Sequence, residues 1–148
     1  MSKTTSKSSV SKANYINETD EELQQFYGTE GYHSFSRLYR NAYLTDGVQF
    51  LCCKYGCYWL MDLICSYGMY LPRDSLSVVV LNKSKSSSGC TVGIFYDYSE
   101  EDKEFCKSNK IKSQRIDYTD FPSDLKLYVH VRKEDTRDIV VIMLPTEY

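Results

Sequence analysis

The spacing of the apolar residues changes once along the chain, near Pro72. Before that point apolar residues recur at helical intervals, as at Val48, Leu51, Cys52 and Tyr55. After it they alternate with polar residues, in "LSVVVLN" (76–82), "TVGIFYDY" (91–98) and "LKLYVHV" (125–131), and "IVVIML" (139–144) is typical of an interior strand. We therefore predict an α+β fold with a mainly antiparallel sheet of four or five strands and two or three helices packed on one face.

Helix boundaries are predicted from caps and glycines. Thr45 is a good cap for a helix that ends at Gly56, and a second helix should run from Cys57 to Gly68. Capping-box spacing also predicts a short helix over 20–27, and "RIDYTDF" (115–121) suggests a third strand. The predicted buried face of the second central helix comprises Trp59, Leu60, Leu63 and Ile64.

The length of 148 residues predicts a single domain. Residues 1–16 are rich in Ser and Lys with little to bury, so we expect a flexible tail before a domain spanning 17–148. No apolar signal-peptide core is visible at the N-terminus, and the longest apolar run is too short to cross a bilayer. The expected location is the reducing cytoplasm, without membrane contact, and the six cysteines are expected to be thiols.

The overall charge argues against general nucleic-acid binding. Eighteen Lys and Arg against twenty Asp and Glu leave a net charge of −2, so no global positive field attracts phosphate. A local basic patch remains compatible with this composition.

Four of the six cysteines cluster between residues 52 and 65, which raises two alternatives, a metal or redox site and a packed core. The segment has no C-x-x-C pair, and the adjacent Cys52 and Cys53 diverge by about 100° on a helix. Cys53 and Cys57 have suitable spacing, but Gly56 interrupts the helix between them. Because free cysteine behaves as a small apolar residue, core packing is the favoured interpretation. No metal ligand and no cofactor are therefore assigned.

No catalytic residue is assigned either, although one acidic residue stands out. Asp62 interrupts an almost wholly apolar helix, so it is a candidate buried functional acid. The alternatives are a hydrogen-bonded structural acid and a carboxylate exposed at the helix edge. An enzymatic function would need Asp62, His33 or a cysteine in a cleft with a perturbed pKa.

The chain contains fourteen tyrosines, a residue type that anchors interfaces at low cost in rotamer entropy. Arginines and a histidine accompany several of them in the segment before the first central helix. The candidate interaction residues are Tyr32, His33, Arg37, Tyr39, Arg40 and Tyr43.

Several phrases together resemble an uncharacterised family of small proteins encoded on plasmids and phages of bacteria. They are "FYGTEGYHSF", "LTDGVQFL", "YGCYWLMDLICSY", "DYTDFPSDLKLYV" and "VIMLPTEY", in an order that covers the chain from Phe26 to Tyr148. The family patterns are T-D-G-V-x-x-L, G-x-Y-W-L-x-D, T-D-F-P-x-D-x-K and L-P-x-E-Y. The resemblance implies alanine at several of the cysteine positions, which favours cysteine as a core residue, and it brings no catalytic residue.

This resemblance implies a small non-catalytic accessory protein of a mobile genetic element that acts by binding a protein. An inhibitor of a host defence nuclease of the CRISPR type is one concrete form. The alternative is a nucleic-acid-binding regulator that combines the basic tail with Arg37 and Arg40 beside Tyr39 and Tyr43.

Overall fold

In the computed structural model, which describes residues 15–28, 30–134 and 137–148, seven strands form one mixed sheet in the order β1-β2-β7-β6-β3-β4-β5. Five of the six strand pairs are antiparallel, and β2 pairs with β7 in parallel. The strands are β1 Tyr32–Ser34, β2 Ala42–Thr45, β3 Ser75–Lys83, β4 Cys90–Phe95, β5 Lys110–Ile116, β6 Leu125–Lys133 and β7 Asp138–Met143.

Four α-helices and three single 3₁₀ turns accompany this sheet in the described residues. The 3₁₀ turns span Leu23–Gln25, Gly68–Tyr70 and Pro145–Glu147. No helix in the described part of the chain is long and apolar enough to span a bilayer. The α-helices are α1 Ile16–Thr19, α2 Asp46–Tyr55, α3 Tyr58–Ser66 and α4 Lys103–Ser108.

The two central helices pack on one side of the sheet, which we call the front face. Strand residues such as Val79 and Leu127 share the main core there with Leu51 of α2 and with Leu60 and Ile64 of α3. Alternation along each strand places every second side chain on this side, so the largest apolar cluster forms between sheet and helices.

The opposite side, the back face, is covered over part of its area by different segments. Val78 and Val80 of β3 lie in a second cluster with Tyr15, and Cys106 of α4 packs against it. Helices therefore contact both sides of the sheet. The prediction of four or five strands with the helices on one face is wrong in strand number and in helix placement.

The missed strands are short or polar. β1 and β2 have three and four residues, too few to show a period. β5 occupies the polar stretch 110–116 because it is an edge strand with a largely exposed surface. It includes only the first two residues of the strand predicted over 115–121.

Predictions for the N-terminal segment are only partly met. Residues 1–14 of the expected tail lie outside the described residues, whereas Tyr15 and Ile16 are buried. The expected helix over 20–27 is reduced to the 3₁₀ turn at 23–25, and the chain then turns at Gly28, whose φ is +67°.

The central helices are confirmed in position. α2 ends at Gly56, whose left-handed φ of 62° explains the glycine there. Leu60 and Ile64 are fully buried as predicted, but Trp59 and Leu63 are only partly buried, and Met61 completes the buried side of α3.

Candidate functional site

The β1–β2 hairpin brings two of the predicted interaction residues together on the back face. Tyr32 and Tyr43 line a groove of about 290 Å³ with Arg132 of β6 and with Ile139 and Val141 of β7. Both β7 side chains are 8% exposed and form the floor, while Tyr32 is 61% exposed. The groove therefore has an apolar floor, aromatic walls and a cationic side chain at its edge.

Two further tyrosines continue this surface. Tyr128 of β6 pairs in register with Met143, and its ring lies 6.0 Å from that of Tyr148 in an edge-to-face contact. The underlying cluster consists of the strand residues Ile139, Val141 and Met143, with Tyr43 and Tyr128 packed against it. We call the four residues Tyr32, Tyr43, Tyr128 and Tyr148 the tyrosine surface.

The other four predicted residues lie elsewhere. His33 pairs in register with Leu44 of the core and turns away from the groove. Arg37 and Arg40 are exposed and Tyr39 is half-buried in the connection between β1 and β2. None of the ion pairs among the described residues involves either arginine.

His33 forms a pair with a carboxylate at the start of α2. Its Nε2 lies 2.7 Å from Oδ1 of Asp46, whose Oδ2 accepts a hydrogen bond from the backbone N–H of Glu30. Within the described residues, no hydroxyl or thiol is hydrogen-bonded to His33. The visible effect of the pair is to tie β1 and the segment before it to α2.

A buried carboxylate fixes the same helix end. Oε1 of Glu147 accepts hydrogen bonds from the Thr45 hydroxyl at 2.5 Å and the Leu144 N–H at 3.0 Å. Oε2 accepts one from the N–H of Gly47 at 2.8 Å. A Cβ added to Gly47 would lie 2.5 Å from Cδ1 of Leu144, so glycine permits this close approach. The helix is thus capped from the far end of the chain, and Thr45 binds Glu147 instead of capping the helix with its own side chain.

The cysteines do not converge on a metal site. All six are free thiols, and the described residues contain no group of three or more His, Cys, Asp or Glu that could hold a metal ion. Cys52 and Cys57 are buried with their sulfurs 3.8 Å apart. The hydrogen bond from Cys57 and burial raise the pKa of Cys52 far above its usual value, so this sulfur is held as a thiol.

Thiol reactivity should follow burial. We expect Cys53, which is exposed, to react with Ellman's reagent at pH 8 about tenfold faster than the buried Cys52, Cys57 and Cys90. Peptide mapping after partial modification measures the order, and Cys53→Ser should remove the fastest phase. Rapid modification of Cys52 or Cys57 in the folded protein would contradict the assignment of these residues to the core.

Asp62 is not a buried acid. It is exposed on α3, and its charge acts on Cys65, whose pKa is raised to about 12 by burial first and by Asp62 second. Asp62 is thus the carboxylate exposed at the helix edge that the sequence left open as an alternative.

A second cavity, of about 350 Å³, lies between the α2–α3 junction and the loop that follows β5. Its walls include Tyr55 and Trp59 from the helices and Tyr118, Asp120 and Phe121 from the loop. We call it the aromatic cavity. Phe121 is 2% exposed and forms its floor, whereas Tyr118 is 64% exposed and stands on its rim.

Residues 17–148 match the sequence pattern of DUF6876, a family of unknown function. The chain belongs to this family. No curated protein and no solved structure gave a match.

The DUF6876 match includes every residue of both the tyrosine surface and the aromatic cavity. The sequence did contain a signal for the cavity, because the stretches around "YWL" and "TDFP" that carried the resemblance form its opposite walls. Tyr128 and Tyr148 also lie in phrases that carried the resemblance, but nothing in those phrases shows that the two rings meet, because their proximity depends on how β6 and β7 pair.

Proposed function

We propose that this DUF6876 protein is a non-catalytic binding protein that engages a partner protein through the tyrosine surface. The observation that carries the proposal is the groove in which Tyr32, Tyr43 and Arg132 stand over Ile139 and Val141. Tyrosine and arginine around a desolvated apolar centre are the residues that dominate binding energy at protein interfaces.

Charge indicates which kind of partner fits. Arg37 and Arg40 lie in the connection that leads into Ala42, and Ala42 pairs with Val140 at the same end of the sheet as Arg132. Arg132 is itself 3.0 Å from Glu134, so part of its charge is compensated. The excess of arginine at this end supports a partner that presents acidic side chains, which would steer association and fix orientation.

The resemblance to plasmid- and phage-encoded proteins supports a role for this binding in a mobile element. On that basis the partner is a host protein, and a defence nuclease of the CRISPR type is one such target. Arginine and tyrosine also suit single-stranded nucleic acid, and that alternative is an outcome of the test below.

The test compares the tagged full chain with Tyr32→Ala, Arg132→Glu and the control Tyr96→Ala, whose side chain is 52% exposed outside the tyrosine surface. We expect a stoichiometric protein partner to copurify from the host with the wild type and the control. Titration of that purified partner should give about tenfold or greater loss of affinity for Tyr32→Ala and Arg132→Glu.

Two results would contradict the proposal. One is equal partner affinity for all four proteins, which would place the interface elsewhere. The other is copurified nucleic acid without a protein partner, with affinity for single-stranded oligonucleotides that falls steeply as salt rises. Thermal melts of each variant show that any loss of binding occurs in a folded protein.

A further inference from the structure

The aromatic cavity has rings facing it from several directions. Phe121 at its floor lies 5.6 Å from the ring of Tyr55 and 6.5 Å from that of Trp59, measured between centroids. The interplanar angles are 34° and 62°, so the three rings are not stacked in parallel. The face of an aromatic ring carries negative potential, so a group in the cavity has several aromatic surfaces within reach.

A carboxylate accompanies the rings. Asp120 lines the cavity, and its Oδ1 accepts a hydrogen bond from the Tyr118 hydroxyl. The other oxygen of Asp120, Oδ2, makes no hydrogen bond within the described residues. A carboxylate has acceptor sites for several donors, so this oxygen remains able to bind a ligand with a positive charge.

The neighbouring charges do not cancel that of Asp120. On the helix side, Lys54 is 2.6 Å from Asp20 and 2.7 Å from Glu22, and the Tyr55 hydroxyl donates to Asp20 at 2.8 Å. The positive charge of Lys54 is therefore compensated by two carboxylates and does not neutralise Asp120. The Lys54 Nζ also lies 5.6 Å from the centroid of the Tyr55 ring, so that ring already has a cation partner, and a ligand's charge belongs on the side of Trp59, Tyr118 and Asp120.

We propose that the aromatic cavity binds an organic ammonium ion, with the positive group against the rings of Trp59 and Tyr118 and its charge opposite Asp120. Its volume of about 350 Å³ suits a small cationic head group with part of an attached chain. Aromatic cages are the known means of binding quaternary and methylated ammonium groups, and a carboxylate beside one adds attraction of opposite charge. This site is separate from the tyrosine surface and does not depend on the function proposed for it.

The test uses Trp59, which is the only tryptophan of the chain, so its fluorescence reports on the cavity alone. The full chain is titrated with choline chloride at constant ionic strength, and with 3,3-dimethylbutan-1-ol, which has the same shape without the charge. We expect a saturable change with choline and binding of the alcohol that is weaker by about tenfold or more. The same titration is repeated with the amides of Nα-acetyl-lysine, its trimethylated form and Nα-acetyl-arginine. Their affinities, compared with that of choline, show whether the site prefers a free ammonium compound or the cationic side chain of a partner protein.

Two pocket variants and two controls locate the binding. Asp120→Asn and Tyr118→Leu change exposed groups, so both should fold, and each should weaken choline binding by about fivefold. Asp97→Asn and Tyr96→Leu make the same changes at exposed positions outside the cavity and should leave binding unaltered. The proposal is overturned if none of the ammonium compounds gives a saturable change, if the alcohol binds as well as choline, or if both pocket variants bind choline like the wild type.

Discussion

Glu147→Ala should lower the free energy of unfolding by about 3–5 kcal/mol, a large part of the total stability of a domain of this size. The substitution removes the acceptor for the N–H groups of Gly47 and Leu144 and leaves the Thr45 hydroxyl only the Ile142 carbonyl, at 3.3 Å. Glu147 is 6% exposed, so water cannot readily replace the lost bonds. It also removes the negative charge from the N-terminus of α2, where the helix dipole favours an anion.

Glu147→Gln separates charge from shape. Its amide oxygen can still accept from Thr45 and Leu144, but its NH₂ group would face the N–H of Gly47, so we expect an intermediate loss. Thr146→Ala, at an exposed neighbouring position, is the matched control and should cost less than about 0.5 kcal/mol. Urea denaturation curves give the three values. A loss of less than about 1 kcal/mol for Glu147→Ala would mean that solvent, not this carboxylate, satisfies the helix end.

The features that sequence patterns predicted correctly are local ones. The extent of α2 and its end at Gly56 follow from spacing and from a glycine that adopts φ of 62°. The alternation in 125–131 likewise gave β6, with Leu125, Leu127, Val129 and Val131 buried on one side. Such signals arise within a few residues and need no knowledge of the partner strand.

The features that were missed depend on contacts between distant parts of the chain. β2 pairs in parallel with β7, where Leu44 is opposite Ile142. A strand of four residues is too short to show the alternation from which it could be predicted. Thr45 was assigned as a cap because its residue type suits that position, but the buried Glu147 supplies the hydrogen bonds instead. A pattern within one segment cannot reveal a competing acceptor from the end of the chain.

The candidate interaction residues show the same division. Tyr32 and Tyr43 do share one side of a hairpin, because Ser34 lies opposite Tyr43 and strand alternation puts Tyr32 on the same side as Ser34. That alternation also separates them from His33, which the sequence grouped with them. Residue type alone therefore identified the segment that contains the groove tyrosines, but it did not distinguish the two faces of the hairpin.

Phe121→Ala should destabilise the domain by about 3–5 kcal/mol, whereas Tyr118→Ala, three residues earlier in the same loop, should cost about 1 kcal/mol or less. Phe121 is 2% exposed and touches the rings of Tyr55 and Trp59, so its truncation leaves a void between α2, α3 and the loop after β5. Tyr118 is 64% exposed, and the one hydrogen bond it makes within the described residues is to the exposed Asp120.

Urea unfolding followed by circular dichroism measures both costs, and the emission of Trp59 should shift to the red in folded Phe121→Ala because water reaches its ring. If the two variants lost equal stability, the loop would be a flexible cover and the aromatic cavity would have no fixed floor. A large difference would instead mean that the core holds Phe121 and Trp59 in place before any ligand arrives. Preorganised rings of that kind let a weak cation–π contact contribute to affinity, because the ligand does not have to order the site.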